Sequence, residues 1–383
     1  MQALEDYQIS AERGFLPEQD PLPYLPEALS AWDEYAYDLP KLLVSGRVRK
    51  FLRAMPLLDP VPYLQTPAQW SRAMQALSYL GHAWVWGESV PATSLPENIA
   101  VPWYAVAERM GRPPVLSYAS YALDNWRRLE KDGPITLDNI ALLQNFLGGL
   151  DEEWFILIHV AIEAAAAPAI RAIPTLIEAV KKQDPFTAEQ ALSHVREALE
   201  LMYAILERMP EKCDPYIYYH RVRPYIHGWK DNPALPEGLL YEGVSAYNGK
   251  PQKFRGETGA QSSIIPSLDA ALGIRHADDP LRAYLREMPG YMPPGHRQFV
   301  RELESLQIDH AFYARTPSLK AAYNACMEWI ERFRTKHLEY AAAYIARQHQ
   351  LSAANPTAVG TGGTPFMPYL AKHRDETRTH KLQ

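Results

Sequence analysis

A run of apolar positions that recur at steps of four and three extends over residues 319–345. This spacing is typical of an amphipathic helix that buries one face. The apolar or semi-apolar positions are Leu319, Tyr323, Cys326, Ile330, Phe333, Tyr340 and Tyr344. The series skips one position of the stripe, and that position is a histidine, His337. The pattern therefore predicts that His337 lies on the buried face of a long helix.

A histidine in that place has two interpretations. A single helical imidazole that faces an apolar cavity is one way in which an all-α protein holds a haem iron. A core histidine whose hydrogen bonds are satisfied by the surrounding protein gives the same pattern. The stripe alone leaves both open.

Helical periodicity continues through most of the chain, and alternating strand patterns are scarce. The chain also has 33 prolines, which favours rigid, irregular links over a regular bundle. Thr187 and Thr316 are predicted N-caps of the helices that follow them. We predict an all-α fold with helices over residues 26–37, 41–53, 67–86, 102–110, 116–130, 137–147, 152–167, 169–183, 187–208, 215–225, 262–272, 280–287, 293–304 and 318–348.

The most apolar stretch, residues 154–170, is interrupted by His159, Glu163 and Pro168. It is shorter than the roughly 20 residues that a membrane span needs, so we expect a buried core helix. The glycines at 148 and 149 just before it mark the best domain boundary. We therefore expect a small helical domain over 1–148 and a larger one over 149–383.

Composition narrows the class of protein. A formal net charge of −6 without a wider basic patch argues against nucleic-acid binding. Two cysteines cannot build a disulfide framework or a structural zinc site. The start MQALEDYQIS lacks the basic and apolar regions of a signal peptide. We expect a cytoplasmic protein with no membrane partner.

Residues 218–229 interleave aromatic side chains with Arg221 and Arg223. Such a segment can bind single-stranded nucleic acid, but the acidic balance of the chain disfavours that. It also suits an aromatic amino acid, because a guanidinium forks onto a carboxylate while rings pack the side chain. An arginine that merely stacks at the surface remains open.

His159 and Glu163 are four residues apart and so share one helix face. They either hydrogen-bond to each other in the core, or His159 lines a pocket as a polar contact or proton acceptor.

Near the end of the chain, Gly360–Thr364 reads GTGGT, which lacks the lysine of a phosphate-binding loop. We interpret that segment as a mobile loop in which Thr361 supplies a hydroxyl.

Several segments, in the same order along nearly the whole chain, resemble indoleamine 2,3-dioxygenases. They are RGFLPEQDPL (13–22), LPENIAVPW (95–103), EAAAAPAIRAIPT (163–175), PYIHGWKDNPALPEGLLYEGV (224–244), GAQSSIIPSLDAALGI (259–274), YMPPGHRQFV (291–300), LKAAYNACMEWIERFRTKHLEY (319–340) and GTGGT (360–364). The most specific are YMPPGHRQFV and the final helix. The resemblance implies an all-α fold whose small and large domains enclose haem b.

The resemblance also implies roles for individual residues. His337 matches the proximal ligand of the haem iron, and Asp269 with Arg334 matches an ion pair on the same side. Arg223 matches the arginine that clamps the substrate carboxylate, and Thr361 matches a residue that holds the amino-acid end of the substrate. The remaining substrate contacts implied are Tyr118, Phe155, His159, Tyr218, Thr258 and Gly259.

The implied activity is cleavage of the indole C2–C3 bond of L-tryptophan, or of a close analogue, by O2 to give N-formylkynurenine. This is the chemistry of tryptophan catabolism by the kynurenine pathway, and it implies ferrous haem b, an external reductant and a monomeric enzyme. His159 would accept the indole N–H and Arg223 would fix the carboxylate, which makes them the expected catalytic residues.

Three departures from the family pattern leave rival functions open. His159 stands where serine is common, Tyr218 where phenylalanine is typical, and residues 257–260 read ETGA where Gly-Ser-Ala-Gly is common. A haem-dependent monooxygenase of a substituted indole fits such a changed pocket. A non-catalytic haem protein that binds or senses oxygen is the other alternative, although it has no need of the clamp at Arg223.

Overall fold

The computed structural model describes residues 1–276, 280–351 and 367–382, and helices dominate these residues. They are α1 (Ser30–Tyr37), α2 (Leu39–Val44), α3 (Val48–Arg53), α4 (Pro67–Trp86), α5 (Glu97–Met110), α6 (Leu150–Lys182), α7 (Pro185–Glu207), α8 (Pro215–Ile217), α9 (Ile264–Leu272), α10 (Pro280–Glu287), α11 (Pro294–Ser305), α12 (His310–Tyr313), α13 (Pro317–Ala341), α14 (Arg347–Leu351) and α15 (Met367–Thr379). The strands of the described residues are two-residue pairs: β1 (Ser94–Leu95) runs parallel to β4 (Leu240–Tyr241), and β2 (Arg127–Arg128) antiparallel to β3 (Ile140–Ala141). The prediction of an all-α protein is confirmed.

Helix α6 is one continuous helix where the sequence predicts two, since it passes through Pro168 and Pro174. By length and composition it could cross a membrane, but 78% of its most apolar window is buried inside the protein. Helix α6 is therefore a core helix that other helices cover, and its most extensive contact is with α7. This position makes α6 the central wall of the molecule.

Helix α13 begins as the sequence predicts. The Thr316 side chain accepts the backbone N–H of Leu319, and Pro317 occupies the first turn. The helix then continues through a π-helical segment, Ala342–Ala346, into α14. At α7 the predicted cap, Thr187, is wrong: Asp184 accepts the N–H groups of Phe186 and Thr187, because the helix starts earlier, at Pro185.

Two predicted helices, over 116–130 and 137–147, are wrong. A short π-helical turn, Ala119–Leu123, is followed by the β2–β3 hairpin. Amide side chains capture the backbone there: Asn139 accepts from Glu130 N and donates to Glu130 O, and Asn125 accepts from Gln144 N. Such bonds compete with helix formation, and their partners lie too far apart in sequence for periodicity to reveal them.

Two hydrophobic clusters meet along α6. The first gathers α1 to α5 together with buried residues between Ile226 and Tyr291. The second gathers α6, α7, α9, α11 and α13, and it also takes in Leu4, Tyr7, Ile9 and Phe15 from the N-terminus. Each cluster thus draws on both sides of position 148, and the division into 1–148 and 149–383 stays a prediction.

Candidate functional site

A cavity of about 560 Å³ lies between α6, α9 and α13 and the loop over residues 257–262. Its volume falls within the roughly 300–1,000 Å³ typical of ligand pockets. Nine of the sequence-predicted site residues line it: Tyr118, Phe155, His159, Tyr218, Thr258, Gly259, Asp269, Arg334 and His337. The structure therefore collects in one place side chains that are more than 200 positions apart along the chain.

His337 reaches this cavity because the apolar stripe of α13 changes its surroundings along its length. Leu319, Tyr323, Cys326 and Ile330 are fully buried against the second cluster. Two turns after Ile330, His337 is accessible although it lies inside the protein, because its neighbour on that side is the cavity. Within the described residues its imidazole forms no hydrogen bond. The structure thus favours a ligand-binding histidine over a satisfied core histidine.

The charge state of His337 also suits metal binding. Its deep position lowers the pKa of the imidazole to about 4, and the nearby His159 and Arg334 add to the shift. The neutral imidazole, which carries the lone pair that a metal accepts, is therefore the stable form near pH 7.

Arg334 lies one turn before His337 and forms the ion pair that the resemblance implies. Its guanidinium contacts the carboxylate of Asp269 on α9 and the hydroxyl of Thr377 on α15. Burial alone would raise the pKa of Asp269, but Arg334 and His276 together outweigh burial and hold it below the usual value. The pair therefore stays charged and ties α9 and α15 to the cavity side of α13.

His159 presents a hydrogen-bond acceptor to the cavity. Its Nδ1 lies 2.7 Å from the carbonyl oxygen of Phe155, and since a carbonyl can only accept, Nδ1 carries the proton. The other nitrogen, Nε2, then holds the lone pair. Burial lowers the pKa of His159, which keeps the ring neutral.

The predicted alternative of a hydrogen bond between His159 and Glu163 is wrong. Glu163 Oε1 instead accepts the hydroxyls of Tyr118 at 2.9 Å and Ser262 at 2.7 Å. Its Oε2 is buried and has no partner among the described residues. Burial raises the pKa of Glu163 to about 7. A carboxyl group that is half protonated near neutrality thus lies directly behind the cavity wall.

We expect Glu163 to make the protein less stable as the pH rises. Its folded pKa of about 7 exceeds the ordinary 4.5, so the folded state holds the proton more tightly, and stability falls between those values. Glu163→Gln removes this titration, so its stability relative to wild type should grow by about 3 kcal/mol from pH 4 to pH 8. Urea unfolding across that range measures the difference. Glu12→Gln, at an exposed position, is the matched control for the substitution itself. A flat difference for Glu163→Gln would contradict the assignment.

Arg223 takes a position that its sequence did not reveal. The side chain is fully buried, its Nη1 lies 3.2 Å from His227 Nε2, and the guanidinium stacks over Tyr219 at 5.4 Å. Arg223 is not among the residues that line the cavity, whereas Tyr218, five positions earlier, lines it and packs its ring 4.5 Å from that of Phe155. The surface-stacked alternative is wrong, and the carboxylate clamp stays a prediction.

Glu257 lines the cavity, and the sequence did not single it out as a site residue. The sequence feature that could have identified it is a charged side chain within a loop of small residues, Glu257–Ala260. Thr258 caps the next turn by accepting Ala260 N, and a Cβ added at Gly259 would meet no atom within 4 Å. The last predicted contact, Thr361, lies outside the described residues.

The cavity fits haem in the chemistry of its walls. His337 offers one neutral nitrogen ligand, and apolar side chains such as Ile264, Phe333 and Ile345 surround it. Five arginines also line the cavity in the described part of the chain: Arg275, Arg282, Arg286, Arg301 and Arg334. Guanidinium groups are the preferred partners of carboxylates, and haem carries two. A flat apolar group with two acidic arms matches this combination.

Comparison with known proteins agrees with this geometry. The family model described as indoleamine 2,3-dioxygenase matches residues 3–380. The chain is 39% identical to indoleamine 2,3-dioxygenase 1 of Rattus norvegicus over 98% of this chain and 95% of that protein. It is 34% identical to indoleamine 2,3-dioxygenase 2 of Homo sapiens over 98% and 94%. It is also 31% identical to a 6-hydroxytryptophan 2,3-dioxygenase of Fusarium equiseti over 98% and 97%.

Proposed function

The chain belongs to the indoleamine 2,3-dioxygenase family, and we propose that it opens the indole C2–C3 bond of L-tryptophan with O2 to give N-formylkynurenine. Family membership makes it a haem-dependent oxidoreductase that takes a small-molecule indole. The observation that carries the choice of substrate is the pair of histidines on one cavity. His337 offers a ligand nitrogen from α13, and His159 offers an acceptor from α6.

The protein contributes the holding and shielding of the cofactor. His337 would bind the iron, and the Arg334–Asp269 pair would fix the surroundings of that ligand. When bound, haem supplies the redox chemistry that a reaction with O2 requires. The apolar walls exclude water, which protects the reacting ring from side reactions.

The substrate is positioned by the other histidine and its aromatic neighbours. An indole N–H can donate to Nε2 of His159, while the rings of Phe155 and Tyr118 lie 4.7 Å and 6.0 Å from that imidazole and pack the ring system. Thr258 and Gly259 line the wall beside them, and Arg223 takes the carboxylate in this proposal. Holding the substrate at both its indole ring and its carboxylate is the main catalytic task left to the protein.

We expect His159→Ala to weaken the binding of L-tryptophan roughly two- to thirteenfold. The loss of one hydrogen bond is worth about 0.5–1.5 kcal/mol, which sets that range. 1-Methyl-L-tryptophan has no indole N–H to donate to His159, so its affinity should change less than twofold. Spectroscopic titration of the haem-loaded protein gives both constants. Equal losses for the two ligands would show that His159 acts only by packing.

A ring-hydroxylated tryptophan is a second candidate substrate, favoured by Tyr218. Its hydroxyl belongs to a buried, cavity-lining ring and forms no hydrogen bond within the described residues. A hydroxyl on the substrate ring would give it a partner. The similar protein from Fusarium equiseti is named for 6-hydroxytryptophan, so turnover of that compound beside L-tryptophan separates the two candidates.

Product analysis tests the proposal directly. The reduced, haem-loaded protein is mixed with L-tryptophan and ¹⁸O2, and the product is followed by absorbance and mass. A formylkynurenine that carries two labelled oxygens supports dioxygenation. A product with one labelled oxygen would support the monooxygenase alternative. A stable oxygen complex that yields no product from either L-tryptophan or 6-hydroxytryptophan would support the oxygen-binding alternative.

A further inference from the structure

We propose that Glu257 binds the α-ammonium group of the amino-acid substrate. The inference rests on the proposed function, because it needs an indole amino acid in the cavity. It assigns to this chain a contact that the common Gly-Ser-Ala-Gly loop does not contain. Its basis is the place of Glu257 in the cavity, the segment that fixes it there, and the nearby guanidinium.

Glu257 is a buried carboxyl group of the cavity wall. The other carboxylates on the described part of the wall are Asp269, beside Arg334 of α13, and Glu304, which is exposed. Glu257 is only 4% exposed, and it shares the cavity wall with the rings of Tyr118 and Tyr218.

The position of Glu257 is fixed by a close backbone crossing. Its N–H donates to the carbonyl of Ile226 at 3.1 Å, and Trp229 N donates to Phe254 O at 2.9 Å. Gly228 and Gly256 touch at the crossing, where a Cβ added to either would come within about 2.2 Å of the other's backbone nitrogen. Since no side chain fits there, the two segments are held in one register.

This crossing joins Glu257 to the segment that carries Arg223. Burial raises the pKa of the Tyr218 hydroxyl most, while Arg223 lowers it and an ionised Glu257 raises it. A guanidinium and a carboxyl group near the same ring are complementary to the two ends of an α-amino acid. Arg223 would take the carboxylate, and Glu257 the ammonium.

The protonation state of Glu257 makes the proposed contact measurable as a release of protons when substrate binds. Burial raises the pKa of Glu257 to about 8, so the group is mainly protonated at pH 7 before substrate enters. An ammonium group close by favours the carboxylate and lowers that pKa. Binding of L-tryptophan should therefore release a proton, whereas a ligand without the ammonium should not.

The first experiment compares two ligands on three proteins. L-Tryptophan and indole-3-propionate share the ring and the carboxylate, but only L-tryptophan carries the ammonium. Their dissociation constants are measured by spectroscopic titration of haem-loaded wild type, Glu257→Gln and the control Glu12→Gln, an exposed residue away from the cavity. We expect Glu257→Gln to weaken L-tryptophan at least tenfold and indole-3-propionate less than twofold. Glu12→Gln should change neither.

An unchanged ratio of the two constants in Glu257→Gln would overturn the inference. Failure of the proposed function looks different, because wild type itself would then turn over no indole. If Glu257→Gln does not load haem, calorimetry on wild type decides. Titrations at pH 7 in buffers of different ionisation enthalpy should show about one proton released per L-tryptophan and almost none per indole-3-propionate. Equal proton release for both ligands would also overturn it.

Discussion

Replacing His337 by alanine is expected to lower haem affinity more than about a hundredfold, because even the loss of a residue that only orients a metal ligand costs roughly ten- to a hundredfold. Among the described residues, His337 is the histidine that α13 brings to the cavity wall, and His373 of α15 also lines the wall with an Nε2 that has no hydrogen-bond partner. The activity should fall with the haem content. Haem stoichiometry and the Soret spectrum of purified protein measure both.

The control for His337→Ala is His194→Ala, an exposed histidine on α7 that does not line the cavity. It should keep full haem content. Imidazole added to His337→Ala should restore part of the spectrum, since it can enter the space left by the side chain. Full haem content and activity in His337→Ala without imidazole would show that another residue holds the iron.

The place of His337 could be predicted because helical periodicity is a local property. The apolar stripe from Leu319 to Ile330 indicates a buried helix face, and His337 continues that stripe at the same helical spacing. The sequence did not show that burial stops there and a cavity begins. That transition depends on α6, α9 and the loop at Glu257, which approach α13 from distant parts of the chain.

The sequence could not predict the hydrogen-bond partners that long-range packing brings together. His159 and Glu163 share a helix face, which made a hydrogen bond between them plausible. In the structure, Glu163 is satisfied by Tyr118 and Ser262, which lie 45 and 99 positions away. His159 satisfies one nitrogen within its own helix and turns the other to the cavity. The distances in sequence explain why periodicity found the residues and missed their partners.

Arg223→Ala is expected to raise the KM for L-tryptophan roughly ten- to a hundredfold, since a charge-assisted hydrogen bond contributes about 1.5–3 kcal/mol. Arg223→Lys should lie between wild type and alanine, because an ammonium cannot form the forked pair that a guanidinium forms with a carboxylate. Tryptamine lacks the carboxylate, so its KM should change less than twofold. Steady-state kinetics with both substrates, at equal haem content, gives the comparison.

The burial of Arg223 makes this comparison necessary. Its side chain is fully enclosed and contacts Tyr219 and His227, so it also supports the segment that crosses Glu257. A purely supporting role predicts a lower melting temperature and equal losses for L-tryptophan and tryptamine. A clamp predicts a loss confined to the substrate with a carboxylate. Because indole-3-propionate keeps the carboxylate, Arg223→Ala should also weaken it, which Glu257→Gln should not. The two variants thus divide the recognition of an amino acid into its two charged ends.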